Sequence, residues 1–209
     1  MIFDNTAILN LKLLVRDRLS EKRYTHTLGV EKLARHLGQL LIPEKLDELS
    51  VAALLHDIAK ELTYDEHLQL LKDSFVKYTD EDLCTKPALH SIAALPLVER
   101  DFKEFATKDV CSAIANHTLG ASGMSIFDEI IFISDYAEEG RTYRTCVDVR
   151  NFLMENVRRE NSSYDNLFAL HTAALNATRS TIDALKNRNE NINSRTLQTQ
   201  QYLEDIISQ

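Results

Sequence analysis

Apolar residues recur at intervals of three and four along most of the chain, the spacing of one face of an α-helix. Ile8, Leu11, Val15 and Leu19 predict a short amphipathic helix over about 6–19. After Ser20 a second helix carries Arg23, His26, Val30, Leu33, Leu37 and Leu40, so His26 stands in line with the apolar stripe and Arg23 one turn before it. Pro43 suits the first turn of a third helix, which the pattern carries through the row Leu49, Ala52, Ala53 and His56 and on to Asp57. A shorter helix over Tyr64 to Leu71 follows, with His67 read as solvated surface. The mixed segment from Asp73 to Lys86 contains Asp80, Glu81 and Asp82, most simply a solvent-facing acidic turn.

Past Pro87, His90, Ala93, Ala94 and Leu97 repeat the i, i+3, i+4, i+7 pattern, and Val110, Ala113, Ile114 and His117 repeat it again. Gly120 and Gly123 suit a helix stop and a close backbone approach. Met124 to Glu138 is helical, with Phe127, Ile130, Ile131 and Ser134 on one side and Asp135 one turn beyond Ile131. Gly140 is the expected C′ residue of that helix, and Arg141 follows it. Helices over about 146–159 and 163–187 complete the bundle, a polar run from Lys186 to Ser194 forms a loop, and Thr196 to Ile207 forms a last short helix. The expected fold is an all-α, single-domain helical bundle spanning residues 1–209, with few glycines and prolines to interrupt it.

Composition narrows the partners. With 44% apolar and 27% charged residues the chain is an ordinary globular one. Its net charge of −8 argues against a broad nucleic-acid contact, which needs many cations against phosphates, but leaves room for a small phosphorylated ligand and a local cation cluster. No apolar run approaches the roughly 18 residues that would span a bilayer, and Met1 to Asn5 shows no signal peptide, so a cytoplasmic location is expected. Cys84, Cys111 and Cys146 are too widely spaced for a Cys-x-x-Cys pair and read as ordinary reduced thiols. His36 and His171 have no companion chemistry and read as structural.

The candidate chemistry lies in what the helices share. His26, His56 with Asp57, His90, His117 and Asp135 each lie on the inward edge of a different helix. No bundle gains stability by collecting so many titratable groups, whereas a cation that needs them deprotonated explains the set. Imidazole and carboxylate without thiolate suit iron, manganese or cobalt better than a structural zinc. Arg23, Lys60 and Arg141, each about a turn from one of these groups, form a potential phosphate clamp.

The chain resembles the HD-domain metal-dependent phosphohydrolases in the ordered set His26, His56-Asp57, Asp135, and more closely the YqeK-type symmetrical bis(5′-nucleosyl)-tetraphosphatases, the bacterial diadenosine tetraphosphate hydrolases. The stretches that carry this are Arg23 to Val30, Leu55 to Lys60, Leu89-His90, His117 to Gly120, Gly123-Met124 and Ser134 through Arg141, with a further segment over Ile192 to Leu197. The resemblance implies an iron site made by His26, His56, Asp57 and Asp135, with His90 and His117 as ligands of a second ion that some relatives bind. It implies catalytic roles for Asp57, Lys60, His90 and His117. Substrate contacts would come from Arg23, His26, Lys60, Thr63, His90, His117, Asp135, Arg141 and the tail residues Asn193, Ser194, Arg195 and Thr196. On this pattern residues 20–142 are the core and residues 145–209 supply helices and a nucleotide-contacting tail. The implied reaction is attack of metal-bound hydroxide on one inner phosphorus of diadenosine tetraphosphate or a related dinucleotide, giving two ADP. A homodimer is one arrangement the resemblance allows. One departure falls in the tail, where Asn193-Ser194-Arg195-Thr196 lacks the proline that the family tends to carry before the threonine.

Two alternatives remain at this level. One is another HD-type nucleotide phosphohydrolase. The guanosine tetraphosphate hydrolases among them usually place Glu-Asp shortly after His-Asp, and Ile58 to Leu62 lacks it. The other is a nucleotide-sensing module that binds without turnover, against which the complete ligand set argues.

Overall fold

The apolar stripes fold as eleven α-helices, with no strand, among residues 3–208, the part of the chain that a computed structural model describes. Met1, Ile2 and Gln209 lie outside the described residues, and with them the start of the segment read for a signal peptide. The helices are α1 (Asn5–Arg16), α2 (Glu21–Leu41), α3 (Leu46–Leu55), α4 (Tyr64–Lys72), α5 (Asp80–Cys84), α6 (Leu89–Asp101), α7 (Lys108–Asn116), α8 (Ile126–Ala137), α9 (Arg144–Asn156), α10 (Ser163–Asn187) and α11 (Ser194–Ile207). None of the described helices is long and apolar enough to cross a membrane.

Helix starts follow local chemistry. Side chains of Asp4, Ser20, Thr107, Ser162 and Asn193 accept from backbone amides one turn in or less, and Thr63–Glu66, Thr79–Asp82 and Ser125–Asp128 form reciprocal capping boxes. The bundle is built around α3, whose residues from Glu48 to Leu55 are all buried. Each fully buried leucine among them contributes roughly 1.5–3 kcal/mol, so this short helix is fixed from every side by α1, α2, α7 and α8. A single apolar cluster continues from Phe3 to Leu203. A smaller one joins Leu71 of α4 to Leu89, Ile92 and Ala93 of α6.

The structure departs from the sequence expectations at five places. The third helix does not run through His56 and Asp57: it ends at Leu55, and both residues lie in the turn that follows. Pro43 opens a separate one-turn 3-10 segment, Pro43–Lys45, before α3. His67 is buried rather than solvated, with its Nε2 2.7 Å from the carbonyl of Ala59, because it shares the inner face of α4 with Leu71. Asp80, Glu81 and Asp82 begin α5 instead of a plain acidic turn, and Asp82 is buried by its capping bonds to Thr79. Gly140 does not take the left-handed conformation; α8 ends by extending at Glu138. Gly120 and Gly123 do take positive φ, 70° and 78°, and a side chain at Gly120 would collide with Thr199 of α11.

Candidate metal centre

Three of the four central imidazoles are set by the same local device. His56 and His117 immediately follow α3 and α7, where the last carbonyls of a helix lack amide partners. Nδ1 of His56 lies 2.6 Å from the carbonyl of Ala53 and Nδ1 of His117 lies 2.7 Å from that of Ile114, each three residues back. His90, near the start of α6, repeats it with Pro87 at 3.0 Å. His26 of α2 instead has Oε1 of Glu138 3.1 Å from its Nδ1. In all four rings Nδ1 is thus placed to donate to an oxygen, which leaves Nε2 to face the interior, the arrangement that orients metal-binding histidines.

These Nε2 atoms meet around two carboxylates. Oδ2 of Asp57 lies 3.6 Å from Nε2 of His56 and 3.8 Å from that of His26, while its Oδ1 lies 3.1 Å from His90 and 3.6 Å from His117. Oδ1 of Asp135 is 3.0 Å from Nε2 of His26 and 3.9 Å from that of His56. Donor atoms of His26, His56 and Asp57 all fall within 4.8 Å of one another, as do those of His56, His117 and Asp135, and those of Asp57, His90 and His117.

Nε2 of His26, Nε2 of His56 and Oδ1 of Asp57 are buried without a hydrogen-bond partner of acceptable geometry. Leaving such atoms unsatisfied costs about 1–3 kcal/mol each. A cation in their midst supplies what the protein does not, and the nitrogen and oxygen donors without thiolate suit a divalent transition ion. The residues present therefore fit a metal.

Electrostatics make two of the rings ready for a metal and hold a third protonated until one binds. Burial pushes His56 and His90 down to about 4, so both rings are neutral at pH 7. Burial pulls His26 the same way but is outweighed by the carboxylates of Asp135 and Glu138, which raise it to about 9. Asp57 is held well below the usual carboxylate range: its burial favours the acid, but His56, His117 and His90 more than reverse it. Asp135 is likewise depressed against its burial, by His26, His56 and Arg141. Around the rim, Nη1 of Arg23 lies 2.7 Å from Oδ2 of Asp57, Nη2 of Arg141 lies 2.7 Å from Oδ1 of Asp135, and Nζ of Lys60 lies 3.2 Å from Nε2 of His90. Burial lowers the Lys60 ammonium despite Asp57 nearby.

Nine sequence-predicted residues thus come together: Arg23, His26, His56, Asp57, Lys60, His90, His117, Asp135 and Arg141. Five do not join the cluster. Thr63 is exposed and its hydroxyl is committed to the capping box with Glu66. Asn193, Ser194, Arg195 and Thr196 start α11, which docks against α5 and the turn after α7. There Asn193 donates to Thr85, Ser194 bonds Glu81, and Nη2 of Arg195 donates to Asn116 and to the carbonyl of Gly120. Beside this tail lies a cavity of about 770 Å³ whose wall includes Thr85, Pro87, Thr118, Asn193 and Thr196, with Thr181 and Leu185 of α10. The hydroxyl of Thr118 is 3.3 Å from Nε2 of His90, so cavity and cluster share a wall.

Two participants carry no role in the sequence reading. Glu138, buried, holds His26; it stands one turn after Asp135, within the stretch from Ser134 through Arg141 that carries the family resemblance. Gly29 makes room for it: a β-carbon there would collide with Oε2 of Glu138.

Residues 23–140 match the HD-domain family. Over 143 residues the chain is 30% identical to a protein of Halalkalibacterium halodurans named "Bis(5'-nucleosyl)-tetraphosphatase, symmetrical", a match covering 66% of this chain and 72% of that one. It is 28% identical over 137 residues to a protein of the same name from Bacillus subtilis, covering 65% and 72% of the two chains. The crystal structure of a predicted HD superfamily hydrolase involved in NAD metabolism from Clostridium acetobutylicum superposes with a TM-score of 0.81 at 27% identity, covering 94% of this chain and 96% of that one. Histidines and aspartates gathered in the order His26, His56-Asp57, Asp135, within a segment that matches throughout, place this chain in the HD-domain family, beside members named symmetrical bis(5′-nucleosyl)-tetraphosphatases.

Proposed function

We propose that this chain is a metal-dependent phosphoric anhydride hydrolase that splits diadenosine tetraphosphate and related dinucleotides at their midpoint into two nucleoside diphosphates. The observation that carries the reading is Asp57, with two histidines on each of its oxygens and three cations at the rim. The names of the relatives support the choice of substrate.

His26, His56, Asp57 and Asp135 would hold the principal ion, and His90 and His117, sharing Asp57, a second one. Iron suits this donor set best, with manganese or cobalt as substitutes. When bound, the ion supplies acidified water and polarises a phosphoryl oxygen.

The chain's own residues do the rest. Arg23 and Arg141 project cationic forks beside the carboxylates they now neutralise, and the same forks match pairs of phosphate oxygens. Their charge offsets that of a polyphosphate as it enters a site already holding Asp57 and Asp135. Lys60 keeps a proton at Nζ that burial makes easier to release, which fits it to protonate the leaving diphosphate. The cavity beside Thr118, with amide and hydroxyl groups of Asn193, Thr85 and Thr196 on its wall, is spacious enough for a nucleoside. Anchoring one nucleoside there fixes how many phosphates reach the ion, and so which bond breaks. Asn193 and Thr196, with Ser194 and Arg195, form the proposed nucleotide-contacting tail.

Chromatography of the products from diadenosine tetraphosphate tests the reading. ADP alone is expected; AMP with ATP, or no turnover by iron-, manganese- and cobalt-loaded protein, contradicts it. The last outcome favours a nucleotide-sensing role, and release of orthophosphate from nucleoside monophosphates favours another HD-type phosphohydrolase.

A further inference from the structure

Arg150 stands beyond the segment that matches the HD-domain family, yet one of its nitrogens ties together the turn that finishes the site. Nη1 lies 2.7 Å from the carbonyl of Glu138, 3.1 Å from that of Ala137 and 3.2 Å from that of Arg141. Two of these carbonyls belong to the end of α8, where intrahelical donors have run out and a cation is favoured by the helix dipole. The third closes the loop at Arg141.

The turn carries two side chains that act on the cluster from opposite sides. Glu138 holds Nδ1 of His26, and Arg141 contacts Asp135 twice, through Nη2 at 2.7 Å to Oδ1 and through Nε at 3.0 Å to the backbone carbonyl. Glu138 also accepts from the amide of Gly140. Backbone bends at Glu138 (φ −56°, ψ 158°) directly after helical Ala137, and the Arg141 amide donates to the Glu138 carbonyl at 3.0 Å, so Arg150 adds a side-chain donor to a turn that its own backbone already closes.

We infer that Arg150 of α9 is a positioning residue for the candidate metal centre: by bonding Ala137, Glu138 and Arg141 together it sets Glu138 against His26 and Arg141 against Asp135. It touches neither the ion ligands nor a substrate. Its effect therefore passes through two side chains that meet different partners, the metal through His26 and the phosphates through Arg141. A cavity of about 300 Å³ lies on its outer side, lined by Lys32, Leu33, His36, Glu139 and Met154. That space leads to the guanidinium from outside the site.

The inference rests on the metal-centre reading for its first consequence and on the proposed hydrolysis for its second, and the test separates them. Arg150→Ala and the milder Arg150→Lys are made in the full chain. Cobalt(II) binding is followed by visible absorption, with KM and kcat for diadenosine tetraphosphate measured alongside. Cobalt affinity in Arg150→Ala should fall about tenfold, as expected when an outer partner of a metal-binding histidine is displaced, and KM should rise by a similar factor with kcat less changed. Millimolar guanidinium chloride, entering through the outer cavity, should restore both while equimolar sodium chloride does not. Combined with Arg141→Ala, the two KM effects should not multiply, because one acts through the other. A lowered melting temperature with unchanged cobalt affinity and KM, in Arg150→Ala or in Arg150→Lys if only that folds, overturns the inference. So do fully multiplicative KM effects. Weakened cobalt binding in a protein whose wild type cleaves no tetraphosphate would uphold the positioning role and refute the proposed reaction instead.

Discussion

Asp57 turns Oδ1 toward His90, 3.1 Å from its Nε2, while its other oxygen lies 3.6 Å from Nε2 of His56. A single carboxylate is thereby shared between two pairs of imidazoles, and it has no substitute. Asp57→Ala should abolish metal retention and lower hydrolysis by on the order of a thousandfold, the loss of several kcal/mol of electrostatic stabilisation. Helix content by circular dichroism should stay near wild type, since Asp57 lies past the end of α3. Full activity in this variant would sink the site assignment.

Metal uptake should release protons, and His26 identifies how many. In the metal-free protein burial lowers its affinity for protons, but Asp135 and Glu138 raise its pKa to about 9, whereas His56 and His90 sit at about 4 and are already neutral at pH 7. Because a ligand nitrogen must be unprotonated, binding at pH 7 should expel about one proton per principal ion, and almost none above pH 10. Calorimetry in buffers of different ionisation enthalpy measures this directly. A binding heat that does not depend on the buffer at pH 7 would contradict it. The same raised pKa stabilises the metal-free fold: the contribution is complete below His26's unfolded value of about 6.5 and is lost as the pH rises through about 9.

Arg141→Ala removes a cation that contacts Asp135 but is not placed to touch the ion. KM for the tetraphosphate should rise roughly 10- to 100-fold, the worth of a charge-assisted hydrogen bond of about 1.5–3 kcal/mol. Metal content by elemental analysis should be kept. An unchanged KM in a natively folded variant would take Arg141 out of the phosphate clamp.

Glu138→Gln and Gly29→Ala attack one contact from its two ends. The first weakens the acceptor for Nδ1 of His26; the second drives a methyl group into Oε2 of Glu138. Each should lower metal affinity by about 10- to 100-fold, as changes behind a ligating histidine do. Equilibrium dialysis against cobalt reads the effect, and wild-type affinity in both variants would show that Glu138 does not orient the ring.

Much of this arrangement is legible in the chain. The three-and-four spacing locates His26 and His90 on inner faces because those residues do lie on helices. His56 and His117 fit the same spacing, yet the helices stop just before them; each ring bonds the carbonyl three residues back, which keeps it near the direction a continued helix would give. The periodicity therefore finds the right side chains while misplacing the helix end. His67 carries its own signal of burial, since its four-residue step to Leu71 sets it on the apolar side of α4. Thr79 and Asp82 likewise spell a capping box, a sign that the acidic run starts a helix. Glu138 and Arg150 could not be found this way. Their roles depend on α9 crossing the end of α8 and on the space at Gly29, which are tertiary facts with no periodic trace.

If residues from five parts of the chain grip an ion together, the purified protein should carry one, and losing a single ligand should release it. Elemental analysis of wild-type protein and His56→Ala, both purified without added metal, tests it most directly. Iron, manganese or cobalt is expected in near-stoichiometric amount in the wild type and is expected to be lost in the variant. Wild-type protein that hydrolyses tetraphosphate at full rate while carrying no transition metal would contradict it.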